Sequence, residues 1–265
     1  MLQRTYIPHA PLSRFVDQFW YLRGYKPSHT KEKALPDGSV EVVINLREDA
    51  IRLFDRVSRE LIMGSSVVCG PHTDFFVIDT SYEMEVIGIH FKPGGFFPFL
   101  KMPLDEILNS HVPLHALWGS AASDLRDELL ASRGPEEMFP ILEHRLLSLA
   151  CRELERNRAV DYAISHLRRF DVTNVIEQIG MSHRRFNQVF KQATGMTPKR
   201  LSRLYRFQEA LHLMDQGLHG PDLALACGYC DQSHFIKDFQ SFSGITPGTY
   251  LPIEGRHYNH SVHRT

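Results

Sequence analysis

No apolar run in the chain reaches the roughly 18 residues that a membrane-spanning helix needs, so a helical membrane protein is excluded. The opening Met1-Leu2-Gln3-Arg4-Thr5-Tyr6 lacks the apolar core of a signal peptide. The expected location is therefore the cytoplasm, with no membrane partner. Cysteine is scarce. Cys69, Cys151, Cys227 and Cys230 are too few and too scattered across 265 residues to make a disulfide framework. Nucleotide-binding glycine loops, a G-x-S-x-G elbow and a carboxylate pair in a catalytic setting are all missing. The sequence thus calls for no catalytic residue and no cofactor.

Metal-binding patterns are thin as well. Cys227-Gly228-Tyr229-Cys230 is a C-x-x-C, but no second Cys/His pair stands nearby at zinc-finger spacing. His72, His90, His111 and His115 contain no close H-x-H pair, and His257, His260 and His263 read as a frayed polar terminus. No metal is expected. Asp37 and Lys92 lie beside turns, where they read as turn residues or as polar anchors of a ligand pocket.

Acidic residues are missing from one stretch in particular. Between Ser182 and Gln208 there is none, while Arg184, Arg185, Lys191, Lys199, Arg200, Arg203 and Arg206 all fall there. A solvated helix normally mixes signs, so a one-sign run points to a phosphate-facing surface. The charge of the whole chain hides this. Residues 1–150 hold 15 Lys and Arg against 20 Asp and Glu, whereas residues 151–265 hold 15 against 11. Only the second part is suited to meet a polyanion.

The length suits two domains. Residues 1–120 read as β-rich and barrel-like. Val40–Leu46, Phe75–Ile78 and Val86–Phe91 have strand character, and Leu12–Leu22 reads equally as a short helix or a strand. Residues 121–157 read as a helical connector. Within it a helix over Asp124–Ser132 is followed by one over Glu136–Asn157, whose apolar stripe could serve as a dimer surface. Residues 158–252 read as all-α and residues 253–265 as a polar tail. The expected class is α+β multidomain.

An internal repeat carries the functional reading. Phe186, Phe190, Gly195 and Pro198 have the same spacing as Phe235, Phe239, Gly244 and Pro247, with Thr before each proline. In the first copy a short helix, Val172–Ile179, ends at Gly180, and Ser182 caps a second helix reaching about Ala193. That is a helix-turn-helix. In the second copy Leu223–Cys227 is followed by Gly228 and the cap Asp231, with a turn one residue longer. The phenylalanines should pack inward. Arg184, Asn187, Gln188 and Lys191 share the outer stripe of the first capped helix, near Ser182, His183 and Arg185. Arg suits guanine, and Asn or Gln suits adenine, at major-groove edges. Gln232, Ser233, His234, Ile236, Lys237 and Gln240 hold the matching positions of the second. Lys199, Arg200 and Arg203 are the expected phosphate contacts. A helix over Leu201–Gln216 joins the two units and should set both capped helices in successive major grooves, about 34 Å apart.

The segments Gly180-Met181-Ser182-His183-Arg184-Arg185-Phe186, Phe190–Pro198, Ala224–Tyr229, Asp231-Gln232-Ser233-His234-Phe235 and Gly244–Pro247 resemble the DNA-binding domain of the AraC-type bacterial transcription regulators. The resemblance covers Val160–Tyr250. It implies seven helices, two recognition helices on a long linker helix, and base-facing roles for Arg184, Asn187, Gln188, Ser233 and Lys237. It further implies double-stranded DNA and RNA polymerase as partners, and leaves open a small-molecule effector and a homodimer. Pro221 at the opening of the second unit departs from the pattern but is tolerated in a first helical turn. Leu35-Pro36-Asp37-Gly38 and Gly88–Gly95 are similar to an N-terminal domain often attached to such regulators, read as sensing an effector or mediating dimerisation. The rival reading is a DNA-targeted enzyme or DNA-repair regulator with chemistry in the N-terminal domain. It needs a reactive, cation-flanked cysteine, which Cys69, between Val68 and Gly70, does not offer.

Overall fold

The computed structural model describes residues 1–169, 171–253 and 255–263. The N-terminal strands are β1 (Leu2–Tyr6), β2 (Val16–Tyr25), β3 (Lys31–Ala34), β4 (Glu41–Asn45), β5 (Ile51–Phe54), β6 (Glu60–Met63), β7 (Ser66–Cys69), β8 (Phe76–Asp79), β9 (Met84–Phe91) and β10 (His111–Pro113). The ambiguous Leu12–Leu22 segment resolves as a 3-10 turn over Leu12–Arg14 followed by β2. The last strand, β11 (His260–Val262), comes from the far end of the chain. Among the described residues the strands form two antiparallel sheets, ordered β1-β2-β9-β4-β7-β10 and β11-β3-β8-β5-β6. The domain is β-rich as the sequence implies, and its sheets stay open rather than closing into one barrel.

Side chains alternate across a strand, and β4 shows the result. Val42 and Ile44 are buried in the core with Phe19, Ile87 and Ile89, whereas Glu41, Val43 and Asn45 line a cavity bounded by strands of both sheets. Helices α1 (Leu114–Trp118), α2 (Ala121–Ala131) and α3 (Pro135–Leu149) cover that core. Phe139, Leu142 and Leu146 of α3 are buried there, and the Phe139 ring stacks 5.3 Å from Tyr6. The stripe read as a connector or dimer face is therefore consumed inside the first domain. The helix also ends at Leu149 rather than Asn157. Beyond it Cys151 N donates to Pro98 O at 3.0 Å, and Asn157 caps the next helix by accepting from Ala159 N and Val160 N. A residue spent as an N-cap cannot lie inside the preceding helix.

The C-terminal part holds α4 (Arg158–His166), α5 (Val172–Ile179), α6 (His183–Thr194), α7 (Pro198–Asp215), α8 (Gly220–Ala226) and α9 (Gln232–Ser243). With a 3-10 turn over Pro247–Thr249, this gives, among the described residues, six α-helices and one shorter turn where the resemblance implied seven helices. Phe186, Phe190, Phe207 and Phe239 are fully buried in its core. Each such ring contributes about 1.5–3 kcal/mol by leaving water.

That core continues into the N-terminal domain, where Leu35, Phe75 and Val77 belong to the same cluster. The contact is closest at the two repeat glycines. Gly195 and Gly244 end α6 and α9 at φ +81° and +69°, the left-handed region that glycine enters without a Cβ penalty. A Cβ on Gly195 would stand 2.6 Å from Pro71, and one on Gly244 would stand 2.3 Å from the Phe75 ring. One segment, Pro71–Phe75, thus presses on the C-termini of both capped helices. Phe75 N donates to Phe242 O at 3.1 Å, and Lys33 Nζ to Ser243 O at 3.2 Å. On the linker helix, Gln208 Nε2 donates to Pro36 O at 2.6 Å. The described tail residues are not frayed: β11 pairs with β3, and Tyr250 Oη donates to the Tyr258 carbonyl.

At Gly180, with φ +70°, a Cβ would meet nothing within 4 Å, so Gly180→Ala suffers backbone strain alone. Gly244→Ala should lose that plus the clash with Phe75, and so exceed Gly180→Ala by about 1–3 kcal/mol in urea unfolding. Equal losses would mean that the interdomain contact is loose.

Candidate functional site

The first helix-turn-helix is built by its caps. Asp171 accepts from Thr173 N at 3.1 Å to open α5, and Gly180 closes it in the left-handed region. Ser182 Oγ then accepts from Arg185 N at 3.4 Å to open α6. Inward, Phe186, Phe190 and Ala193 meet Val175 and Ile176. Outward, Ser182, His183, Arg184, Arg185, Gln188 and Lys191 are exposed. The second unit repeats the plan. Asp231 accepts from His234 N at 2.7 Å, Phe235 and Phe239 are buried, and Gln232, Ser233, Lys237 and Gln240 are exposed.

Several residues of the outer stripes have partners that the sequence did not announce. Asn187 is half-buried and its amide donates to His183 O at 2.9 Å. Lys191 Nζ lies 3.0 Å from Asp105 in a 3-10 turn of the N-terminal domain, Leu104–Ile107. His234 packs edge-on against Tyr229 at 5.2 Å, and Ile236 is half-buried against the C-terminal core. Lys199 and Arg200 are exposed at the start of α7. Arg203, read as a phosphate contact, is instead engaged by Asp238. Its Nη2 lies 2.5 Å from Oδ1 and its Nε 3.3 Å from Oδ2. The carboxylate is almost fully buried, so this pair works as a strut between α7 and α9. An acid at 238, on the inner face between buried Phe235 and Phe239, was the available signal, since a buried acid needs a partner.

The N-terminal domain holds a second feature, the cavity between strands of both sheets, about 320 Å³ in volume. Its polar end gathers residues the sequence had scattered. His90 Nε2 lies 3.4 Å from Asp37, and its Nδ1 3.6 Å from Glu41. Trp20 Nε1 donates to Glu41 at 2.8 Å. From the tail, Asn259 Nδ2 donates to Asp37 at 3.3 Å, and Arg256 and His260 both approach the fully buried Glu32 at 3.5 Å. Burial opposes the charge on Glu32, but hydrogen bonds from His260, Tyr25 and His29 and the nearby Arg256 hold it down at about 2. The His72 and His111 rings lie 4.7 Å apart, tilted by 45°. Burial lowers both, and His111 falls to about 3 with His72 beside it. Lys92 is a structural tie, donating to Ser13 O at 2.7 Å. Burial raises the Cys69 thiol well above its ordinary range, and the Glu41 carboxylate adds to this. Burial also raises Cys227, to about 11. Neither is a thiolate at neutral pH.

Residues 175–252 match the family model of a helix-turn-helix domain, and residues 4–113 match that of a domain of unknown function, DUF6597. The chain is similar to the HTH-type transcriptional activator RhaR of Klebsiella pneumoniae subsp. pneumoniae, 36% identical over 90 residues, which cover 33% of this chain and 32% of RhaR. It is also similar to the HTH-type transcriptional activator RhaS of Escherichia coli strain SE11, 37% identical over 67 residues, covering 25% and 24%. The chain thus spans about a third or less of the length of these curated relatives. Among solved structures, ToxT from Vibrio cholerae aligns with a TM-score of 0.48 at 11% identity, covering 86% of this chain and 96% of ToxT. No helix among the described residues is long and apolar enough to cross a membrane.

The His90 cluster makes stability depend on pH. Burial disfavours protonated His90, but Asp37 and Glu41 outweigh it and raise its pKa from 6.5 to about 9. A raised histidine contributes stability that is complete below its unfolded pKa and is lost as pH climbs through the folded one. The melting temperature should therefore fall between pH 6.5 and 9, and His90→Gln should flatten that fall. A variant that keeps the full slope would show that His90 is not its source.

Proposed function

We propose that this chain, whose residues 175–252 match a helix-turn-helix domain, is a sequence-specific transcription regulator of the AraC type. It reads double-stranded DNA with the outer faces of α6 and α9. The observation that carries this reading is the division of each helix. The inner face is locked into a shared core by two phenylalanines, while the outer face holds exposed cationic and amide side chains. Such groups meet base edges in the major groove, with Arg favouring guanine and Asn or Gln favouring adenine.

In this reading Arg184 and Gln188 contact bases directly, and Asn187 does so once its amide leaves the His183 carbonyl. Ser233, Lys237 and Gln240 act for α9, flanked by Gln232 and His234, and Ile236 offers an apolar contact to a thymine methyl. Ser182, His183, Arg185, Lys199 and Arg200 meet phosphates, which supply affinity without choosing sequence. Lys191 joins them when Asp105 releases it. The relatives named as transcriptional activators favour activation, with RNA polymerase as the second partner. Residues 1–120, with the helices of 121–157 packed on them, form a domain that senses a small molecule or mediates a homodimer. Residues 158–252 read DNA, and the tail from 253 onward ties the two together. The place of action is the cytoplasm. The protein works without catalysis, and the buried, protonated Cys69 speaks against the repair-enzyme alternative.

Selecting duplexes from a random pool with the full chain, at moderate salt, tests this. The expected product is a two-part site with half-sites about one helical turn, some 34 Å, apart. Arg184→Ala should then lose about 1–3 kcal/mol at a single base pair, whereas Lys199→Ala should weaken every sequence alike. Failure to prefer any duplex over random competitor would refute the reading.

A further inference from the structure

The cavity in the N-terminal domain has a defined chemistry. Its walls are apolar, from Leu22, Val43, Leu53, Val67, Phe76 and Ile78. Trp20 lies against Gly88 of β9 so closely that a Cβ there would stand 2.3 Å from the indole. The ring is thus fixed as a flat panel of the wall. The polar end is acidic. Asp17, Asp37 and Glu41 line it, and protonated His90 answers only one of the three charges. Arg256 does not redress this, because its guanidinium is turned to the buried Glu32. Asn259 also lines the cavity, and its amide Nδ2 donates to Asp37, so it leaves the acidic balance unchanged.

We propose that this cavity binds a small organic cation, an amine carried on an apolar or aromatic body. The ammonium sits between Asp37 and Glu41, against the Trp20 ring. Each surrounding group answers a property of that ligand. The carboxylates supply charge-assisted acceptors, the indole face attracts a cation, and the aliphatic walls take the body. A volume of about 320 Å³ suits a small molecule. An anion would meet the excess negative charge, and a purely apolar guest would leave the carboxylates unanswered.

Such a ligand would also lie beside the ties between the two domains. Asn259 and Arg256, which line the cavity, belong to the tail that follows the second helix-turn-helix, and Asp37 adjoins Pro36, whose carbonyl accepts from Gln208 of the linker helix. This inference rests on reading the N-terminal domain as the sensor. Its test uses no DNA, so its failure is distinguishable from a failure of the DNA-binding reading.

The probes are 2-phenylethylamine, 3-phenylpropionate and 2-phenylethanol, which share a body and differ in the polar group. Binding to the full-length protein is followed by calorimetry at millimolar probe and by the fluorescence of Trp20 in a Trp118→Phe background. The amine should bind and change the Trp20 emission, with affinity about tenfold or more above the acid and the alcohol. Asp37→Asn and Glu41→Gln should each cut amine affinity by about tenfold. Asp37→Asn guards against the chance that losing the Trp20–Glu41 bond merely loosens the wall, so its unliganded melting temperature is compared with the native one. Equal binding of all three probes, preference for the acid, no amine binding, or unchanged amine affinity in a folded Asp37→Asn variant would each overturn the proposal.

Discussion

Everything else in this molecule depends on a steric fit at two points. The segment Pro71–Phe75 occupies the space that side chains at Gly195 and Gly244 would need. These glycines terminate the two capped helices, so the fit sets where both helices end relative to one outside reference. The Arg203–Asp238 pair then holds α9 to the linker helix, and the single core from Leu35 and Phe75 through Phe207 to Phe239 removes slack between them. The consequence is mechanical. Two reading helices joined by one α-helix would already have a fixed spacing. Here their orientation toward the N-terminal domain is fixed too, because packed interiors deform little.

This geometry also connects the cavity to the reading helices. His72 lines the cavity and lies inside the Pro71–Phe75 segment. The loop through Pro36 and Asp37 meets the cavity on one side and α7 on the other, where a Cβ on Gly38 would come within 2.9 Å of Leu201. The tail strand closes a third route, from β3 back to the end of the second unit through Tyr250 and Tyr258. A change in the cavity therefore has short, packed paths to α6, α7 and α9. Lys191 sits at the end of one of them, exposed on α6 and paired with Asp105.

What could be read in the sequence was what is local. The repeat of Phe, Phe, Gly and Pro, the caps Ser182 and Asp231, and the left-handed stop at Gly180 are written in neighbouring residues, and each is found where its spacing put it. The strands at Val40–Leu46 and Val86–Phe91 had enough β-branched residues to declare themselves. Short strands such as Lys31–Ala34 and Ser66–Cys69 did not, because their stability comes from partners far along the chain. The same reason hid the tail strand, since the polar His257, Asn259 and His260 look like a free terminus until Glu32, Asp37 and β3 are brought beside them. The repeat glycines were visible, but the need for them was not. Half of it is backbone conformation, and the other half is a proline and a phenylalanine more than a hundred residues away. Arg203 shows the same effect of distance, since a half-buried cation in an acid-free run pairs with a buried acid on another helix.

The central claim is that α6 and α9 are held in one rigid frame, and the most direct measurement is the distance between them. Spin labels at the exposed positions Gln188 and Gln240, in a background with the exposed Cys151 and Cys230 changed to serine, report that distance in the full chain. The account predicts a single narrow distance distribution in free solution. A broad distribution, or two separate populations, would contradict it.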